Sequence, residues 1–220
     1  MTQLKANNRK LMYNHLVITL TMIISGFLLL NSYAVAGPNE LASCSIDLNY
    51  NTQEIESILQ KIQGNEIIIT IIAENVSNLD TFQVEVNYDE TALVFVDAYE
   101  NYGFDENFLS VNGGQTIGLK ATKKEKGLIN LANALKGTDK NIAPEGTGII
   151  AYLVFNLIKC GAQTTISLLN VHFQDSDSIN DTIVHMNNGI INVKYPGDID
   201  GNCRLDLRDA IDILKFASGF

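Results

Sequence analysis

Tryptophan is absent from this chain, and histidine occurs only three times. Flat sugar-binding platforms rest on stacked aromatic rings, Trp above all, so the first absence takes weight from direct polysaccharide binding. The second leaves little material for a histidine-based site. His15 belongs to the N-terminal segment, His172 falls in a strand-like stretch, and His185 lies near another. No two of them stand at a metal-ligand spacing, and no nucleophile elbow or Gly-rich phosphate loop precedes a helix. Asp175, Asp177 and Asp181 crowd one loop, but the fifth position from Asp175 is Ile179, so the cluster reads as a polar turn. The chain is expected not to be an enzyme.

Charge is also scarce, at 18% of residues, and its balance is acidic, with a formal net of −10. The few basic groups crowd the start. Lys5, Arg9 and Lys10 precede an uncharged apolar run at 16–30, and Ala34-Val35-Ala36 supplies a small-x-small site before Gly37. That is the pattern of an export leader, residues 1–36, cut after Ala36. As an uncleaved anchor the run is short against the roughly 20 residues a spanning helix needs. Leu41-Ala42-Ser43-Cys44 imitates a lipid-attachment box, but Asn39 and Glu40 separate it from the apolar run. Cutting removes three basic residues and no acidic ones, which takes the net charge from −10 to −13. Such a surface excludes nucleic acid and anionic membrane as partners. There is no second long apolar run, so the mature protein is expected to be free of the membrane: secreted, at the cell surface or in the periplasm.

Only three cysteines are present. Export permits disulfides. Cys44 and Cys160 flank the central region. Bridged, they would close a long loop, a constraint of up to about 4–5 kcal/mol in the chain-entropy treatment; unpaired, they are two small core residues. Cys203 is left over, either as a free thiol or as a neutral stand-in at its place in the C-terminal loop.

What the chain has in abundance is β pattern. Residues 37–59 form a mixed lead-in. Ile55, Ile58, Leu59 and Ile62 stand at helical spacing, although 55–59 fits an opening strand equally well. From residue 66 the period becomes that of strands. An isoleucine-rich run at 66–73 reads as buried on both faces. At 82–88, Phe82, Val84, Val86 and Tyr88 alternate with polar residues, as in a half-buried strand. Further strands are expected at 93–99, 115–121, 128–135, 146–158, 164–173 and 189–193. Turns or polar loops fall at 75–80, 112–114, 123–126, 136–144 and 174–181. Eight or nine short strands with almost no helix between them predict an all-β antiparallel sandwich able to bury a real core. Tyr99, Tyr102 and Phe104 lie in a loop, as a small platform or as hydrophobic anchors.

The last segment carries chemistry. In Asp198-Ile-Asp-Gly-Asn-Cys-Arg-Leu-Asp-Leu-Arg-Asp209, side-chain oxygens fall at positions 1, 3, 5, 9 and 12: Asp198, Asp200, Asn202, Asp206 and Asp209. Position 7, Arg204, offers its backbone carbonyl. This is the ligand spacing of a twelve-residue EF-hand loop for Ca²⁺, a hard ion that takes about 6–8 oxygens. Two positions depart from the pattern. Asp replaces Glu at position 12, and Cys203 stands where Gly usually permits a left-handed backbone, at a cost of roughly 1–2 kcal/mol. A helix at 207–217 follows, with Gly219 as its stop.

Gly197-Asp-Ile-Asp-Gly-Asn-Cys-Arg-Leu-Asp-Leu-Arg-Asp-Ala-Ile-Asp-Ile-Leu resembles one repeat of a type I dockerin, the calcium module that plugs into cohesin domains; dockerins normally carry two. Ile67-Ile-Ile-Thr-Ile-Ile-Ala-Glu-Asn-Val, Leu79-Asp-Thr-Phe-Gln-Val-Glu-Val-Asn-Tyr-Asp89, Leu93-Val-Phe and Gly146-Thr-Gly-Ile-Ile-Ala-Tyr-Leu-Val-Phe155 resemble a cohesin domain over about 60–194. The resemblances imply a jelly-roll sandwich, related to carbohydrate-binding modules, at 60–194 and a single dockerin-like repeat at 195–220. They imply calcium-dependent docking with cohesin or dockerin modules of other chains in a polysaccharide-associated assembly. Leu207 and Arg208 take the positions that commonly touch the partner. The link at 194–197 is too short for easy self-docking, so contacts between copies would run head to tail. The competing expectation is a carbohydrate-binding sandwich that uses the tail as a calcium-stabilised clip.

Overall fold

β-branched side chains favour extended backbone, and the isoleucine run folds accordingly as the longest stretch of one such residue type in a strand. The structure is a computed structural model. It describes residues 37–52, 54–59, 66–103, 106–137, 140–159, 163–192, 197–202 and 204–219. The expected leader at 1–36, the end of the 52–63 stretch, Phe104, Cys160, Cys203 and most of the 194–197 link lie outside the described residues.

In chain order the strands are β1 (Ser43–Asp47), β2 (Ile58–Leu59), β3 (Glu66–Val76), β4 (Leu79–Tyr88), β5 (Leu93–Tyr99), β6 (Lys120–Glu125), β7 (Leu128–Ala134), β8 (Gly146–Leu157), β9 (Thr164–Asp175), β10 (Asn180–Ile183), β11 (His185–Asn187) and β12 (Gly189–Ile191); a helix, α1 (Leu207–Ser218), follows. They form two sheets. One has the order β11-β1-β3-β8-β5; the other runs β2-β12-β9-β4-β7-β6, with β10 also on β9. Pairing is antiparallel except for β1 with β11 and β2 with β12, which are parallel. Successive long strands β3 and β4, β7 and β8, and β8 and β9 lie in opposite sheets. This is the expected all-β jelly-roll sandwich.

The two inner faces close on one core. Ile67, Ile69 and Ile71 of β3 pair with Phe155, Leu153 and Ala151 of β8. Opposite them stand Phe82, Val84 and Val86 of β4 and Phe173 of β9, all buried. Phe155 packs edge-on against Tyr88 and Phe95 at centroid distances of 5.1 and 5.7 Å. Each large apolar side chain so buried contributes about 1.5–3 kcal/mol.

The outer face of the five-stranded sheet is also covered, as the isoleucine run predicts. Thr70, Ile72 and Tyr152 are buried there. Tyr102 lies over Tyr152 at 5.9 Å and meets Tyr50 at 5.7 Å and Tyr99 at 6.0 Å. Tyr102 is thus an anchor packed into a tyrosine cluster rather than part of an open platform.

Three local expectations are corrected. The charged stretch 123–126 is mostly strand: β6 pairs with β7, Ala121 opposite Leu131 and Lys123 opposite Ile129. It is an edge strand, where lysines block further pairing. The turn follows at Gly127, which has φ 72 and lies so near the Tyr88 carbonyl that a Cβ would come within 2.4 Å of its oxygen. The strand expected at 115–121 is reduced to a bridge between Thr116 and Leu135 before β6 begins. The lead-in contains β1, which lies between β3 and β11. Its polar residues are satisfied inside the fold: the Ser45 hydroxyl donates to Glu74 and accepts from Asn187, and Asp47 Oδ1 accepts the Asn49 and Glu56 N–H groups. Cys44, next to Ser45, is a free buried thiol, and Cys160, its expected partner, lies outside the described residues. Burial, then the charge of Glu74, pushes the Cys44 pKa far above the ordinary thiol range.

Candidate metal centre and open sheet face

A tight loop forms where short polar side chains capture the backbone N–H groups that follow them. The segment from Asp198 does this repeatedly. Asp198 Oδ1 accepts the N–H groups of Gly201 and Asn202 at 2.9 and 3.1 Å. Asp200 Oδ1 accepts from Asn202 N at 3.1 Å, and Asn202 Oδ1 accepts from Arg204 N at 2.8 Å. Gly201 supplies the positive φ of 72 that the curl requires. Helix α1 then starts with a capping box: Asp206 Oδ1 accepts the Arg208 N–H, and Asp209 Oδ2 accepts the Asp206 N–H. It ends at Gly219, left-handed at φ 76 and ψ 24. The helix is one residue longer than the sequence pattern suggests.

Asp209 is the only helix residue that is buried, at 3% exposure. Its Oδ1 reaches back across the loop to accept the Ile199 N–H at 2.8 Å. Those backbone donors, Asp206 first and then Ile199, hold its carboxyl below the usual aspartate range and so in its charged form.

The outcome is convergence. Carboxylate oxygens of Asp198, Asp200 and Asp209 all lie within 4.8 Å of one another. Two ligands of one Ca²⁺, each at about 2.3–2.6 Å, can stand at most about 5 Å apart, so the three oxygens fit a common ion. Asn202 and Asp206 are turned differently: the Asn202 amide donates to Asp200 Oδ2 at 2.7 Å, and Asp206 caps the helix. Arg204 is exposed, with its N–H on Asn202. Of the six expected ligand positions, three carboxylates are gathered and three residues form the wall of the loop.

Leu207 and Arg208 stand exposed at the first turn of the helix; Leu207 is 74% exposed. With Leu157 and Ile158 at the end of β8, they line a cleft of about 690 Å³.

The seven-stranded sheet offers a different surface. Among the described residues no tyrosine cluster covers its outer face. Thr81, Gln83 and Glu85 of β4 lie in register with Ala134, Ala132 and Asn130 of β7. On the other side, His172 and Gln174 of β9 continue the rows to Thr182 and Asn180 of β10. Thr81, Gln83, His172, Gln174 and Asn180 line a shallow groove of about 290 Å³. The His172 ring and the Thr182 hydroxyl are 3.3 Å apart, a structural pairing within the sheet. At the centre, Glu85 joins Lys124 of β6 to Asn170 of β9. A β-bulge sets Asn170 at φ 44 and aims it at Glu85. Lys124, then Asn170, holds the Glu85 carboxyl below its usual range. The sequence alternation marked Gln83 and Glu85 as outward; the bulge and the β10 pairing had no such signal.

No protein-family model matches the sequence, and no curated protein matches it. Solved structures do. A type I cohesin in complex with a dockerin from Clostridium thermocellum aligns with a TM-score of 0.53 at 12% identity, covering 70% of this chain and 93% of that one. A type II cohesin module from a scaffoldin of Acetivibrio cellulolyticus gives 0.53 at 18% identity, covering 70% and 91%. A non-cellulosomal cohesin from the archaeon Archaeoglobus fulgidus gives 0.50 at 13% identity, again covering 70% and 91%. At these identities the likeness is one of fold: the sandwich has the fold of cohesin modules.

Proposed function

We propose that this protein is an exported, non-catalytic docking protein: a cohesin-type sandwich that receives a dockerin module of another chain and carries a dockerin-like calcium loop and helix of its own. The observation that carries this reading is the open outer face of the seven-stranded sheet on a cohesin fold. Its counterpart on the five-stranded sheet is filled by Tyr152 and the rings around it, so the fold leaves one flat surface for a partner. Neutral amides and hydroxyls dominate that face, with Glu85 and Lys124 paired at its centre. Such a surface meets a partner helix through apolar stems and hydrogen bonds rather than through net charge.

In the tail, Asp198, Asp200 and Asp209 would hold Ca²⁺ through carboxylate oxygens, with Asn202, the Arg204 carbonyl and Asp206 completing the set after modest rotation. The ion neutralises three converging negative charges and so fixes the curl that starts α1. Leu207 and Arg208 then present an apolar and a cationic contact to a cohesin of another chain. A head-to-tail contact between copies need not close, and short filaments follow from it. The leader directs the protein to the secreted, surface or periplasmic space, where Ca²⁺ is plentiful.

A pull-down from the source's secreted proteins, with Ca²⁺ and then with a chelator, tests the docking reading. Capture of a dockerin-bearing chain that is lost on replacing Gln83 and Ala132 with arginine supports it. Light scattering on the purified chain tests the filament: a strict monomer at high concentration, with and without chelator, removes self-association.

A further inference from the structure

Gly37 is the first residue after the small-x-small site, and the compact unit of the chain begins at it. Its surroundings are built. Asn39 is fully buried and exchanges two hydrogen bonds with Ser77: its Nδ2 donates to the Ser77 carbonyl at 3.2 Å, and its Oδ1 accepts the Ser77 N–H at 2.7 Å. The Asn39 N–H donates to Asp181 Oδ2 at 2.8 Å. The Gly37 carbonyl accepts from Glu40 N, which closes the turn. Asp181, on β10, is 9% exposed. No lysine, arginine or histidine among the described residues pairs with it.

The contact between Gly37 and this carboxylate is unusually close. A Cβ on Gly37 would lie 1.7 Å from Asp181 Oδ1 and 2.4 Å from Oδ2. Asp181 is short and already held by Asn39, so it cannot swing aside cheaply. Glycine is required here for proximity. A buried carboxylate is pressed against the backbone of one residue, with no cation in place to neutralise it.

We propose that Asp181 is the counter-ion of the α-ammonium group that leader removal creates at Gly37. This rests on the export reading above. The step is hydrolysis by a leader-removing peptidase: water adds across the Ala36–Gly37 bond, the C–N bond breaks, and the oxygen leaves with Ala36 as a carboxylate. The Gly37 nitrogen, an uncharged amide before the cut, takes up protons and becomes an ammonium. The pair between Gly37 and Asp181 therefore exists only in the processed chain. It ties the new N-terminus to β10 and, through Asn39, to the turn at Ser77.

The test compares two chains, one beginning at Gly37 and one carrying Ala36 in front of it, which restores the amide at Gly37. In the first, the α-ammonium should titrate about one unit or more above its ordinary 7.7–8.0, a tenfold gain in proton affinity. Its thermal midpoint at pH 7 should exceed that of the longer chain. A group whose folded pKa is raised stabilises the fold below its unfolded pKa, so the gap should close as pH climbs through the raised value. Asp181→Asn, which keeps the acceptor for Asn39, should abolish the gap; acetylating the α-amine of the Gly37 chain should do the same if that variant does not fold. Equal midpoints with an α-amine titrating at its ordinary value would overturn the proposal. Mass spectrometry of the N-terminus after expression with the leader separates the two readings. Cleavage to Gly37 supports both, and any other mature start overturns the proposal even if the ion pair forms in the trimmed chain.

Discussion

The sandwich and the C-terminal loop–helix treat apolar surface in opposite ways. In the sandwich, both faces of β3 and β8 are covered and the large side chains Ile69, Ile71, Tyr152 and Phe155 are inaccessible. In the tail, Leu207, Ile211, Leu214 and Phe216 are exposed, Phe216 at 89%, and the one buried helix residue is the carboxylate Asp209. The first region is held by burial, a term that needs no ligand. The second is held by caps and loop hydrogen bonds around converging charges, and a lone helix of that length is marginal in water. Regulation enters most strongly through the tail: a region stabilised by polar geometry responds to ions and protons directly, and a region stabilised by packing responds only through the few charged groups it carries.

The largest effect should come from breaking the packed side. Phe155→Ala removes a ring that touches Tyr88 and Phe95 and should cost about 3–5 kcal/mol, measured by urea unfolding. Phe216→Ala, on the tail, should fall within about 0.5 kcal/mol. Similar costs for the two would erase the contrast.

Next comes the ion. Asp198→Ala with Asp209→Ala should abolish Ca²⁺ binding in isothermal titration and expose the α1 amides to hydrogen exchange, with the unfolding midpoint of the sandwich unmoved. Unchanged affinity in that double variant would refute the loop as the site.

Protons should act on the same side. The folded pKa of Asp209 is lowered, so its contribution is present above the unfolded aspartate value, about 3.9, and is lost as pH falls through the folded value. Amide signals of Ile199 and Asp206 should shift in that acid range while those of β3 and β8 hold. Smaller again is the response of Glu85, lowered by Lys124 and then Asn170. Glu85→Gln should remove a slight acid-range loss of stability in the sandwich, seen as a flatter midpoint against pH below about 4.3.

The contrast also explains what the sequence could reveal. Strands β3, β4 and β8 are legible because burial imposes a period: isoleucine runs where both faces are covered, alternation where one is. β1 was hidden because Ser45 and Asp47 are buried through specific hydrogen bonds, which leave no apolar signature. β6 was hidden because an edge strand advertises charge. In the tail loop the spacing marked Asp198, Asp200 and Asp209, whose carboxylates do converge. Which oxygens converge and which cap the backbone depended on rotamers that spacing does not encode. The helix at the end was legible from its apolar spacing and its Gly219 stop, although its apolar residues Leu207, Ile211, Leu214 and Phe216 stand exposed. The role of Gly37 was invisible because its partner, Asp181, is distant in sequence and sits in what reads as a polar turn.

The parallel pairing of β1 with β11 bears on mechanics. Ser43 lies beside His185 and Ser45 beside Asn187, so the two strands point the same way. Tension between the front of the chain and its tail pulls them lengthwise in opposite directions, and the rungs between them must share the load in shear instead of opening one after another. Force that reaches the two ends of the sandwich therefore meets them joined in the stronger direction.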